Sequence, residues 1–283
     1  MPATPCSANS RNGKAVKADI FNLASMLDDR DENVGVNILA QLLCRADELG
    51  DLPALLQESA DPLVRRRAHQ LQSALTMRRR RQDLHARLSS FAPELLPGLE
   101  ELHLLWFDRD SRTELHETVS AFADEFRKAG ISTLEEIDFF MRQKNFLPEN
   151  ESTIQVENYC IGAILDRRMG AASVLMALAC ELAGKDKFQL VRVLESFGIA
   201  DDRGQLLLGN NSWRFCRAPG RESMELWDNR MLLKYVASTL LGCAVNSDSY
   251  RYVMSISQAI SGDGSEHVFD GFPYPFRSSS SEK

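Results

Sequence analysis

The chain has 283 residues, 44% of them apolar and 26% charged, an ordinary globular composition with length enough for two domains. Its formal net charge of -7 argues against broad electrostatic binding to nucleic acid or to anionic lipid. No run reaches the ~18 apolar residues of a membrane span, and the opening stretch MPATPCSANSRNGKAVK has no apolar signal core, so a cytoplasmic protein is expected.

Residues 1–17 and 278–283 are polar and rich in small residues, and are expected to be disordered. Helical patterning begins near Ile20, and a short repeat follows. Asp31-Glu32-Asn33-Val34 lies 30 residues before Asp61-Pro62-Leu63-Val64, each word between a Leu-rich helix end and a second helix. In such helix pairs the Asp caps and the Val faces inward. Two pairs are too few to stand alone as a solenoid.

Arg65, Arg66, Arg67, Arg78, Arg79, Arg80 and Arg81 crowd one helical stretch. They read as a basic stripe, either a docking surface for an acidic partner or RNA, or a solvated face paired with this chain's own carboxylates. Two amphipathic helices are expected over 93–107 and 115–129, the second with Leu115, Val119, Phe122 and Phe126 on one face. Thr133 caps another that runs to Phe146 and ends before Pro148. The polar connector from Pro148 to Val156 is the expected domain boundary, separating a helical region 18–147 from a core 148–277.

The core opens on two helical pieces joined at Gly170, the second uncharged from Met169 to Cys180 and therefore buried on all sides. Strands are expected over Phe188–Leu194, Ser212–Cys216 and Met224–Trp227, and helices over Met231–Leu241 and Tyr250–Ile260. The fold class is α+β and helix-rich. The six cysteines are scattered without a CxxC pair, the histidines show no metal spacing, and no glycine-rich phosphate loop is present. No metal and no cofactor are expected.

The words from 158 to 183 resemble the bacterial SirB-type transglutaminase-like family. Its members carry an Asn, then a Val-Leu-acid-Arg-Arg stretch, then Gly-x-Pro-x-Ser and a long apolar helix ending near Glu-x-Ala. Asn158, Ile164-Leu165-Asp166-Arg167-Arg168, Gly170, Leu175 and Glu181-Leu182-Ala183 match, while Ala172 and Val174 replace the Pro and the Ser. Leu27-Asp28-Asp29-Arg30-Asp31-Glu32-Asn33-Val34 is similar to the word opening the helical region of such proteins. The resemblance implies HEAT-like helix pairs packed on a papain/transglutaminase-like core with a small antiparallel sheet. In active members of that superfamily a Cys sits at the N-terminus of the buried helix, where the helix dipole stabilises its thiolate, and a His and an Asp follow on the sheet.

Here that seat holds Gly170, Ala171, Ala172 and Ser173, with no nucleophilic thiol. No histidine lies between His116 and His267; Glu195-Ser196-Phe197-Gly198 stands where relatives carry Pro-Gly-His-Phe, and Asp228-Asn229-Arg230 where they carry Asp-Pro-Phe. The expected function is therefore a catalytically inactive transglutaminase-like protein that binds a protein or peptide partner. The old groove near Gly170, Ala171 and Trp213, or the arginine stripe, would do the binding. Arg167 and Arg168 are read as holding Asp166 or Glu181, or as gripping a ligand carboxylate. Two alternatives stand beside this reading. One is an enzyme with Cys160 or Ser173 as relocated nucleophile, activated by His267 or an acid; the other is a nucleic-acid-associated module using Arg65 to Arg81.

Overall fold

A computed structural model describes residues 18–149, 154–184, 186–217 and 221–261. The expected disordered ends and His267 lie outside them. The described residues form two compact units, one up to Arg79 and the other from Arg80.

In the first unit, α1 (18–25) runs into a 3-10 turn at Met26–Asp28, followed by α2 (Glu32–Cys44), α3 (Leu52–Gln57) and the beginning of α4 (Pro62–Ser89). The repeated acidic words start α2 and α4. Asp31 accepts the Asn33 N–H at 2.8 Å, and Asp61 accepts the Leu63 N–H at 2.7 Å. Each carboxylate thus takes one of the orphan donors of a helix start. Ile20, Leu27, Ile38, Leu42, Leu52 and Leu71 meet in the core of this unit.

The second unit holds the end of α4, then α5 (Leu95–Trp106), α6 (Arg112–Lys128) and α7 (Leu134–Gln143). Thr133 and Glu136 form a reciprocal capping box at the start of α7. The helix stops at Gln143, earlier than Phe146, because Asn145 turns into the left-handed region at φ 60°. The apolar face read on α6 is buried as a stripe, and Phe122, Phe126, Phe140 and Phe146 pack edge to face at centroid separations of 4.8 to 6.5 Å.

Then β1 (Leu147–Glu149) pairs in parallel with β2 (Met169–Ala171), Pro148 lying opposite Gly170, with α8 (Ile161–Arg167) between them. This pairing moves the expected boundary. The segment at Pro148 is tied into the second unit by β2 and by the aromatic cluster, and the division falls between Arg79 and Arg80.

After α9 (Ala172–Ala183) come β3 (Phe188–Val193), β4 (Ser196–Asp201), β5 (Gln205–Gly209), β6 (Trp213–Arg217) and β7 (Glu225–Leu226), then α10 (Asn229–Asn246) and α11 (Tyr250–Ser261). The five strands form one antiparallel sheet in the order β6-β5-β4-β3-β7. The unit is therefore α+β and helix-rich. Among the described residues no helix is long and apolar enough to cross a membrane.

Helix α9 is the centre of this unit. It packs on β3, β4 and β5 and also on α5, α6 and α10, and every residue from Ala172 to Cys180 is buried. It lies close against Gly209, where a Cβ would fall 2.5 Å from Met176 Cε and 3.2 Å from Ala172 Cβ, so that these side chains would have to shift.

Candidate functional site at the buried helix

The chain enters α9 from β2, so the two expected helical pieces are separated by a short strand rather than joined at Gly170. Arg168, at φ 58°, ends α8 in the left-handed conformation, and its carbonyl accepts the Leu147 N–H at 2.9 Å. Ala171 is the N-cap of α9 and offers the helix no side-chain acceptor. Gly170, Ala171, Ala172 and Ser173 are all buried, and Ser173 is 0% exposed. The N-cap of α9, where the helix dipole favours a thiolate, thus carries a methyl group.

Two polar side chains border this seat. Glu149 lies opposite Ala171 in the β1–β2 pairing, and its carboxylate accepts the Asn158 Nδ2–H at 2.9 Å. Asn158 is 1% exposed. Asn158 thus holds a carboxylate that pattern reading passed over, since Glu149 sits within a connector read as polar loop.

Cys160 is fully buried, and burial pushes its thiol well above the ordinary range, with Glu157 adding in the same direction. That is the reverse of an activated nucleophile. Among the described cysteines, iodoacetamide at neutral pH is expected to modify the exposed Cys44 first and to leave Cys160 unlabelled in the native protein, as read by peptide mapping.

Trp213 is 4% exposed, and its Nε1–H donates to the Phe146 carbonyl at 2.8 Å, while Arg142 donates to the Trp213 carbonyl. The indole ties β6 to the segment between α7 and β1. Trp213→Phe is expected to lose about 1 kcal/mol of stability, because the buried Phe146 carbonyl is left without its donor. Urea denaturation checks this, and an unchanged midpoint would show that the bond contributes nothing.

Arg167 is exposed, and Arg168 lies over the Phe146 ring at 4.9 Å. Glu181 instead accepts from Asn229 Nδ2 at 3.2 Å. Asp228 caps α10 by accepting the Met231 N–H at 2.7 Å.

The arginine stripe breaks up in three dimensions. Arg67, Arg80 and Arg81 are buried, at 1%, 6% and 1% exposure, so the seven do not form one solvent-facing surface. Several take carbonyls at helix ends. Arg67 donates to Leu27 O, Asp29 O and Asp31 O at 3.0, 2.6 and 3.3 Å. Arg65 donates to Ser59 O and Ala60 O just past α3, and Arg78 to Leu43 O at the end of α2. In the second unit Arg80 donates to Leu104 O, Asp108 O and Asp110 O after α5. The last carbonyls of a helix lack intrahelical donors and carry the negative end of its dipole, so guanidinium groups suit them. Arg66 pairs with Glu32 at 3.1 Å, and Arg79 is exposed.

Two cavities open in the second unit. One, of about 360 Å³, lies at the far half of α9, between Cys180 and Glu181, strand β3, and the β7–α10 junction at Trp227 and Asp228. The other, of about 730 Å³, lies beside α8 and the first turns of α6; Asp110, Glu114 and Asp166 face Arg109 and Arg168 across it. His103 lines the second cavity from beneath. Burial depresses its pKa against the opposing pull of Asp110, whose carboxylate lies 2.9 Å from Nε2. Neither of these two cavities is lined by Gly170, Ala171 or Trp213. Among the described residues no group of His, Cys, Asp and Glu could hold a metal ion.

Comparison with protein-family models, with curated proteins and with solved structures gives no match.

Proposed function

We propose that residues 80–262 are a degenerate SirB-type, transglutaminase-like core, that the helix pairs before it are the HEAT-like region of the same family, and that the protein works by binding a protein or peptide partner rather than by catalysis. The observation that carries this reading is Ala171 as N-cap of a helix buried along its length against an antiparallel sheet. That is the place and setting of the nucleophile in active relatives, with the nucleophile replaced by a methyl group. The relocated-nucleophile alternative draws little support, since Cys160 is buried with a raised pKa and Ser173 is 0% exposed. The nucleic-acid alternative is weakened by the arginines that turn inward to helix-end carbonyls.

The test is alkylation of the native protein with iodoacetamide from pH 6 to 9, alongside assays for hydrolysis and transamidation of peptide amides. The expected result is no cysteine reacting fast at pH 6 and no turnover. A single cysteine reactive at pH 6, or turnover abolished by one substitution to Ala, would overturn the inactive reading.

A further inference from the structure

The opening at the far half of α9 has a defined chemistry. Its walls are Cys180, Phe188, Leu190 and Met231, with the Trp227 indole and the exposed Leu226 at its rim. Its only charged liners among the described residues are Glu181 and Asp228. Arg192 and Arg230 lie outside the lining; Arg192 stands 5.9 Å from the Trp227 ring centroid and 4.0 Å from Glu225. The C-terminal end of α9, the negative end of its dipole, is on this side, beside Glu181. An apolar slot with carboxylates and an aromatic ring matches the side chain of Lys or Arg, whose methylenes take the walls and whose charge takes the carboxylates.

Two further features concern main chain rather than side chain. Strand β7 covers β3 only at Val191 and Arg192, with one more bond from Trp227 N to Leu190 O at 2.9 Å. Beyond it the chain turns into α10, and among the described residues no strand pairs with Phe188 and Gln189 on that side. The Trp227 Nε1–H is buried with no acceptor among the described residues. A short extended segment laid along this edge continues the pairing of β3 past Val191 and places alternate side chains toward the slot.

Resting on the reading of this protein as a binding module, we propose that this slot at α9, β3 and the β7–α10 junction is its peptide-docking site, and that it takes a Lys or Arg side chain from an extended segment of a partner protein. The site lies at the opposite end of α9 from the vacated nucleophile seat. Binding here is therefore independent of whether chemistry ever occurred at Ala171.

The experiment titrates the full chain with acetyl-Ala-Leu-Lys-Leu-Ala-amide, following the Trp227 indole N–H and the Met231 methyl resonances. Parallel titrations use the same peptide with norleucine or glutamate in place of lysine, and n-butylamine. The lysine peptide is expected to give saturable shifts at both probes, the norleucine peptide weaker ones, and the glutamate peptide none. The pair Glu181→Gln and Asp228→Asn keeps the hydrogen-bond acceptors, including the α10 cap, and is expected to weaken the lysine peptide by about tenfold. If that double variant loses its native spectrum, Leu226→Lys at the exposed rim places a cation at the mouth instead and should weaken binding in the same direction.

Equal binding of the lysine and norleucine peptides, preference for glutamate, or no shift at either probe would overturn the proposal. So would n-butylamine binding as tightly as the peptide, which would make this a small-amine site. These outcomes are separate from turnover. Loss of peptide binding with no catalytic activity sinks the slot and leaves the inactive-core reading intact, whereas turnover with binding retained does the reverse.

Discussion

Arg67→Met is expected to destabilise the first unit by about 3 kcal/mol, the largest single effect among the changes considered, because it leaves the Leu27 and Asp29 carbonyls without this donor and takes from the Asp31 carbonyl one of its two. The side chain is 1% exposed, so water cannot step in readily. Methionine keeps much of the volume, and the loss is one of hydrogen bonding more than of packing. The route by which Arg67 reaches these carbonyls supplies a companion result of unusual sign. Gly35 lies inside α2, where glycine to alanine ordinarily stabilises a helix by roughly 0.5–1 kcal/mol. Here an added Cβ would fall 2.2 Å from Arg67 Cζ, so Gly35→Ala is expected to destabilise. Hydrogen exchange of the α2 amides in the full chain reads both variants. Unaltered protection in Arg67→Met, or added protection in Gly35→Ala, would refute the role assigned to Arg67.

Arg112→Ala should cost about 2 kcal/mol in the second unit. Glu101 is 2% exposed and receives both terminal nitrogens of Arg112, at 2.5 and 2.9 Å. Removing the guanidinium strands a buried carboxylate, which is why the effect exceeds that of an ordinary surface pair. Arg112 itself is nearly half exposed and also lies 3.6 Å from Asp83, so water screens part of the interaction and the full figure for a buried pair does not apply. Replacing Glu101 and Arg112 together by methionine is expected to be less damaging than Arg112→Ala alone, since no unpaired charge remains. Denaturant midpoints of the three proteins decide it, and a double variant worse than the single would place the energy in packing instead of charge.

Helices with one apolar face were legible from spacing alone, as the Leu115, Val119, Phe122 and Phe126 stripe of α6 and the charge-free run of α9 illustrate. So were the capping words, because a cap is a contact within a few residues. Thr133 with Glu136, Asp31 and Asp61 all act where local pattern put them. Three strands of the sheet could be read from alternation and β propensity. Strands β4 and β5 could not. Gly198 and the run Leu206-Leu207-Leu208 carry no alternation, and their strand state comes from pairing with each other and with β3 and β6.

The charges were the least legible. Seven arginines at helical spacing read as an exposed stripe, yet Arg67 and Arg80 face carbonyls 36 to 40 and 24 to 30 residues away along the chain. No local pattern encodes such partners, because a helix end left without donors is a demand that any nearby cation can meet once the helices pack. The two cavities are of the same kind: Glu181 and Asp228 come together only because α9 and α10 converge on the edge of β3. The lack of any histidine between His116 and His267 is different in kind. It is a matter of which side chains exist, and residue identity alone establishes it. Local periodicity and capping chemistry were enough for the helices and their starts, since each depends on neighbours within a turn or two. The burial of arginines and the shape of the slot depend on segments distant in the chain, and packing alone brings them within reach.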